Sequence, residues 1–132
     1  MKGKIVKADE GRDYEMGRMS ARFIVDGDET GNRTSVSEWW LEANTQGPPI
    51  HSNPEDHVFY VLAGELSVYL APDWHTATAG STIFIPGGLE HGFENRSDER
   101  AGFLNINNPG GFESEMPDIV TWFAENPPGD AR

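Results

Sequence analysis

Four histidines stand in this chain of 132 residues, and three of them, His51, His57 and His91, fall where short apolar segments begin or end. In His51-Ser52-Asn53 the outer residues are two apart, so in an extended chain their side chains point to one side, and the imidazole and the amide can share a ligand. His57 opens the apolar run HVFYVL, with Phe59 and Val61 on its own face, and His91 follows the tight turn Pro86-Gly87-Gly88. Neutral imidazoles and an amide oxygen suit a divalent transition metal, and strands lying side by side would supply the convergence it needs. With no charged ligand the ion would keep its full +2 charge, attract an enolate or carboxylate and act as a Lewis acid. His75, beside the Pro72-Asp73 turn, is read as an ordinary hydrogen-bonded surface or core residue with no part in this, and Asn95 as a residue that hydrogen-bonds within its strand or turn.

The elements that must position these residues read as strands. Residues 21–25 and 34–42 concentrate β-branched and aromatic side chains around the loop DGDETGNR. Residues 57–62 and 65–70 form two apolar runs separated by Ala63-Gly64, which reads as a hairpin. Further strands are expected at 74–77, 81–85, 91–95 and 101–107, with Gly and Pro turns between them. Even spacing of short strands, with 15 Gly and 9 Pro in the chain, points to an all-β barrel or sandwich. Only the tail departs: PDIVTWFA, residues 117–124, reads as one short helix packed on the outside of the barrel.

Two segments resemble the motifs of the cupin family. GSTIFIPGGLEHGFEN, from Gly80 to Asn95, carries every fixed position of the second motif, and HSNPEDHVFYVLAG, from His51 to Gly64, carries part of the first. The likeness extends over about residues 34–112 of what reads as one domain spanning 1–132. It implies a double-stranded β-helix, or jelly-roll, with a short C-terminal helix, similar to small quercetin-dioxygenase-like cupins. It also implies a homodimer and one divalent transition metal per chain, whether Fe, Mn, Ni, Zn or Cu. Carried over residue by residue, the metal ligands are His51, Asn53, His57 and His91. Asn53 stands where the family has its second histidine, and His57 stands where it has glutamate, six residues before Gly64. Glu55 and Asp56 are one or two places out of register, which along a strand means the opposite face, so His57 is preferred to either. Losing the motif glutamate removes the base that relatives use, and an amide oxygen in place of an imidazole weakens the site.

Composition narrows the partners. A balance of 10 basic against 22 acidic residues, a formal net charge of −12, disfavours nucleic acid and anionic membranes. The absence of cysteine excludes thiolate chemistry and disulfides. The N-terminus lacks the apolar run of a secretory signal, so a cytoplasmic location is expected. The partner is a small molecule. Phe59, Phe93, Trp40 and Glu38 are candidates for its pocket, although alternation leaves open whether Ser37, Trp39 and Leu41 or Glu38, Trp40 and Glu42 face inward. The leading expectation is dioxygenase-like oxidation of an enol, diketone or phenolic compound bound at the metal. A non-redox isomerase or cyclase that polarises a carbonyl is the second, and a non-catalytic barrel that binds a small metabolite is the third.

Overall fold

Alternation along Ser35–Leu41 decides which face of that strand is inside: Ser35, Ser37, Trp39 and Leu41 are buried, and Val36, Glu38 and Trp40 between them are not. The same two-residue period runs along Met19–Val25 and Asp56–Ala63 of the larger of two antiparallel sheets, which share their buried faces. The computed structural model describes residues 1–132. In chain order the strands are β1 (Arg12–Met16), β2 (Met19–Val25), β3 (Ser35–Leu41), β4 (Asp56–Ala63), β5 (Glu65–Leu70), β6 (Asp73–Thr78), β7 (Thr82–Ile85), β8 (His91–Glu94) and β9 (Ala101–Asn108), followed by the helix α1 (Met116–Glu125). The larger sheet runs β1-β2-β3-β9-β4-β7 and the smaller β6-β5-β8, as a jelly roll requires.

The core lies between the sheets. Phe93 of β8 meets Trp39, Phe59 and Phe103 of the larger sheet edge to face, with ring centroids 6.2, 5.9 and 4.9 Å apart. Leu66 and Val68 of β5 and Leu41 and Val61 of the opposite sheet are almost wholly buried. Such aromatic packing contributes about 0.5–1.5 kcal/mol per pair beyond the area it buries.

Two sequence expectations need correction, and one strand was not read from the sequence. The runs on either side of Ala63-Gly64 are not a hairpin: β4 pairs with β9 and β7, whereas β5 pairs with β6 and β8. Gly64, at φ +72°, is a corner at which the chain leaves one sheet for the other, and a Cβ there would stand 2.5 Å from the Arg100 carbonyl oxygen. Both runs are apolar because each faces the shared core, so local pattern cannot distinguish a corner from a hairpin. Strand β1 escaped notice because RDYEM is an edge strand, largely exposed and paired only with β2. Helix α1 begins and ends within a residue of its expected bounds, but it closes the mouth of the barrel rather than simply coating the outside, since Ile119, Trp122 and Phe123 face the cavity. No helix is long and apolar enough to cross a membrane.

Candidate metal centre

The two segments that carry the histidines hold each other in place through the backbone. His51 and His91 form an isolated antiparallel bridge, exchanging N–H···O=C bonds of 3.0 and 2.8 Å, which sets their rings side by side with centroids 4.5 Å apart. The Gly88 N–H donates to the Asn53 carbonyl at 2.8 Å, and the Gly87 N–H donates to the Asp56 carboxylate at 2.7 Å. Gly87 must be glycine, since a Cβ would collide with the Pro54 carbonyl oxygen. The turn before His91 is thus docked onto the loop before His57, and the rings of His57 and His91 come to 5.3 Å. His51, Asn53, His57 and His91, separated by up to 40 residues of chain, line one cavity.

Hydrogen bonds fix which nitrogen of each ring is free. The Nδ1–H of His51 donates to the Pro49 carbonyl at 2.7 Å and that of His91 to the Leu89 carbonyl at 2.9 Å; a carbonyl only accepts, so Nδ1 carries a proton in each ring and Nε2 is the atom left to face a ligand. His57 follows the same rule. Its Nδ1–H donates to Asn105 Oδ1 at 3.1 Å, and its Nε2 accepts from the amide of Asn53 at 3.0 Å. Burial holds His57 below the usual histidine pKa and pushes His91 down to about 4, so both are neutral near pH 7. Three imidazoles, each anchored through Nδ1 to an oxygen and presenting Nε2, form the donor set with its supporting shell that transition metals require. They fit a divalent ion of the Fe, Mn, Ni, Zn or Cu type. The three free nitrogens do not all lie within 4.8 Å of one another; three ligand atoms do so only in the separate surface group Asp26, Asp28 and Glu29.

The cavity above the histidines has a volume of about 480 Å³. Phe59 and Phe93, expected at the pocket, line it, together with Trp39, Phe103 and Phe112, while Ile119, Trp122 and Phe123 reach it from α1. Its acidic side chains are Glu55 and Glu115, and no lysine or arginine is among its lining residues. Trp40 and Glu38 are not at this pocket. They lie on the opposite face of β3, where the Trp40 indole N–H donates to Glu38 at 2.7 Å and the Arg100 guanidinium sits over the Trp40 ring at 4.4 Å. Trp39, one residue along, takes the inward place and donates from its indole to Ser37 Oγ at 2.9 Å. Both faces of β3 carry a tryptophan, so only the packing of Phe93 and Phe103 against one of them decides the matter. Phe112 was missed because the Gly110-Gly111 turn folds the chain end back over the barrel, and nothing in the local sequence announces that return. His75 is exposed on β6. Asn95 is a structural clasp: its amide donates to the carbonyls of Leu41, Glu42 and Glu99, and its oxygen accepts from Ser97.

A jelly roll with inward histidines at one end defines a class, and residues 38–107 match the family model of the cupin domain. The chain belongs to the cupin family. Among solved structures it is similar to the polyketide cyclase RemF from Streptomyces resistomycificus, with 23% identity and a TM-score of 0.68 over 82% of this chain and 80% of that one. It is similar also to KdgF from a Halomonas species, with 13% identity and a TM-score of 0.74 over 86% and 99%. An RmlC-like cupin from Shewanella frigidimarina gives 16% identity and a TM-score of 0.69 over 83% and 93%. At these identities the likeness establishes the fold. No curated protein matches the sequence.

Proposed function

We propose that this cupin is a metal-dependent enzyme acting on a small, planar, oxygenated organic molecule, and that its leading chemistry is dioxygenase-like oxidation of an enol, diketone or phenolic compound. One observation carries the reading: three imidazoles anchored through Nδ1 present their other ring nitrogens at the floor of an aromatic cavity lined by no lysine or arginine. A bound divalent ion would supply Lewis acidity and a docking point for an enolate or phenolate oxygen. His51, His57 and His91 would hold it. The protein itself binds and orients the rest of the substrate against Trp39, Phe59, Phe93 and Phe112 and excludes water with α1. Small dianionic acids suit the cavity poorly, because beyond the metal it offers them no positive partner and sets Glu55 and Glu115 in the wall.

A non-redox reading is favoured by the resemblance to RemF, whose name records polyketide cyclisation. In that reading the metal polarises a carbonyl and oxygen takes no part. Protein reconstituted separately with Fe(II) and Zn(II) and given a panel of diketones and polyphenols, with and without air, tests both. Oxygen uptake coupled to substrate loss in the iron form is the expected outcome. Conversion that proceeds equally without oxygen in the zinc form transfers the assignment to the cyclase reading, and binding without conversion in either form removes catalysis. The same proposal includes pairing of two copies through the outer face of the larger sheet.

A further inference from the structure

The inner faces of a sandwich are normally apolar, yet four small polar side chains stand together on the inner face of the larger sheet. Ser35 and Ser37 of β3 pair in register with Asn107 and Asn105 of β9, and all four residues are buried. Ser37 Oγ accepts the Trp39 indole N–H at 2.9 Å, and Asn105 shares a 3.1 Å hydrogen bond with His57. Asn107 differs from both. It is 1% exposed, and neither the nitrogen nor the oxygen of its amide has a hydrogen-bond partner in the chain. An unpaired amide in a protein interior is costly, and a leucine of similar size would remove the cost.

The block adjoins the cavity and is screened from it. Asn105 and Phe112 line the cavity, whereas Ser35, Ser37 and Asn107 do not. The ring of Phe112 lies 6.2 Å from that of Phe23, 6.4 Å from Trp39 and 5.9 Å from His57, between centroids. Those three side chains flank the block: Phe23 is opposite Ser37 on β2, Trp39 is the next inward residue of β3, and His57 is opposite Asn107 on β4. Phe112 itself belongs to no sheet. It opens a short turn, Phe112–Glu115, directly after Gly111 at φ +104°, so no strand pairing holds it in place. Glu113 ties the turn down with one carboxylate oxygen, which accepts the Gly27 N–H at 2.6 Å, while its other oxygen is buried without a partner.

We propose that this block is a polar extension of the cavity behind Phe112, in which Asn107 binds a neutral hydroxyl or carbonyl group of the ligand once the Phe112 ring has turned aside. The inference rests on the reading above only for the cavity as the binding chamber, and not for the ion. An amide offers two N–H donors and an acceptor oxygen, which suits a hydroxyl that both donates and accepts. The block holds no charged side chain, so a carboxylate or an ammonium buried there would be left uncompensated. Asn107 is thereby a specificity-determining residue: a ligand that lacks the polar group leaves the amide unpaired and is rejected for that reason.

The test compares 2-naphthol with 2-methylnaphthalene, which differ by a hydroxyl in place of a methyl group. Their binding to chelator-treated, full-length protein is followed through the fluorescence of Trp39 and Trp122, both at the cavity. The ratio of the two affinities, naphthol over methylnaphthalene, should fall at least about tenfold in Asn107→Leu, with no loss of melting temperature, because the variant removes an unpaired buried amide. Phe112→Ala uncovers the block and should raise the same ratio by about threefold or more. Circular dichroism identifies a variant that fails to fold, and Asn107→Ala then replaces Asn107→Leu with the same fall expected. A ratio unchanged in the folded Asn107 variant overturns the subsite and leaves the cavity standing, with the amide serving buried water alone. A ratio unchanged in Phe112→Ala overturns the part given to that ring. Loss of 2-methylnaphthalene binding in the Asn107 variant also overturns the proposal, since it reports a distorted cavity rather than a lost hydrogen bond. A wild type that binds neither compound overturns both the subsite and the chamber.

Discussion

His91 shows what burial does to a single imidazole. It is 2% exposed, its Nδ1–H is bound to the Leu89 carbonyl, and desolvation pushes its pKa down to about 4 from an ordinary 6.5. His57 is lowered for the same reason. A depressed pKa in the folded state means that the unfolded chain binds more protons between those values, so the stability of chelator-treated protein should be full above about pH 6.5 and should fall as the pH drops toward 4. His91 alone accounts for a loss on the order of 3 kcal/mol across that window, with His57 adding in the same direction. Urea denaturation at pH 7.5 and pH 5 measures it. A midpoint unchanged between the two would show that these rings are not buried as neutral groups, and saturating metal should steepen the dependence, because the proton and the ion compete for the same nitrogens.

At the scale of elements, the site depends on where strands stop. Gly64 sends the chain from β4 into β5 at φ +72°, and only a residue without a side chain tolerates both that backbone and an Arg100 carbonyl oxygen 2.5 Å from where a Cβ would stand. Gly64→Ala should therefore destabilise the fold by about 2 kcal/mol or more, since strain at a left-handed position adds to a displaced β9 backbone. The shift of the urea midpoint at constant slope checks this, and a loss below about 0.5 kcal/mol would mean that the corner yields freely. Sequence patterning located most strands here, yet it read this corner as a hairpin because both conformations place apolar runs around a glycine.

Across the whole molecule the charge is lopsided in a useful way. The formal net charge is −12, yet one row across four strands, Val36, Ile106, Val58 and Phe84, is entirely apolar on its outer side, and Tyr60 and Leu104 pair in the next row. Phe84 is 59% exposed on the edge strand β7, with Tyr60 and Leu62 nearby and also exposed. The partner proposed for this row is a second copy. On the proposed pairing, a second copy would present the same apolar row, and the contact would close as a two-fold pair with Glu38 at its margin. Light scattering coupled to gel filtration should give twice the chain mass of 14.6 kDa. Phe84→Glu places carboxylates in that contact and should give the single-chain mass, and a wild type already at 14.6 kDa at high micromolar concentration contradicts the pairing.

The sequence by itself determined the family, the all-β architecture and the identity of the histidines, because those depend on short-range facts: turn residues at fixed intervals, a two-residue period, and motif spacing from Gly80 to Asn95. It could not determine which tryptophan of β3 faces inward, that Phe112 and α1 complete the cavity, or that Asp56 and Glu55 have parted company, one to the Gly87 amide and the other to the space beside His57. Each of those choices is made by a partner distant along the chain. A side chain's face, and in a loop even its direction, is settled by what packs or hydrogen-bonds against it, and only the closed barrel brings those partners within reach.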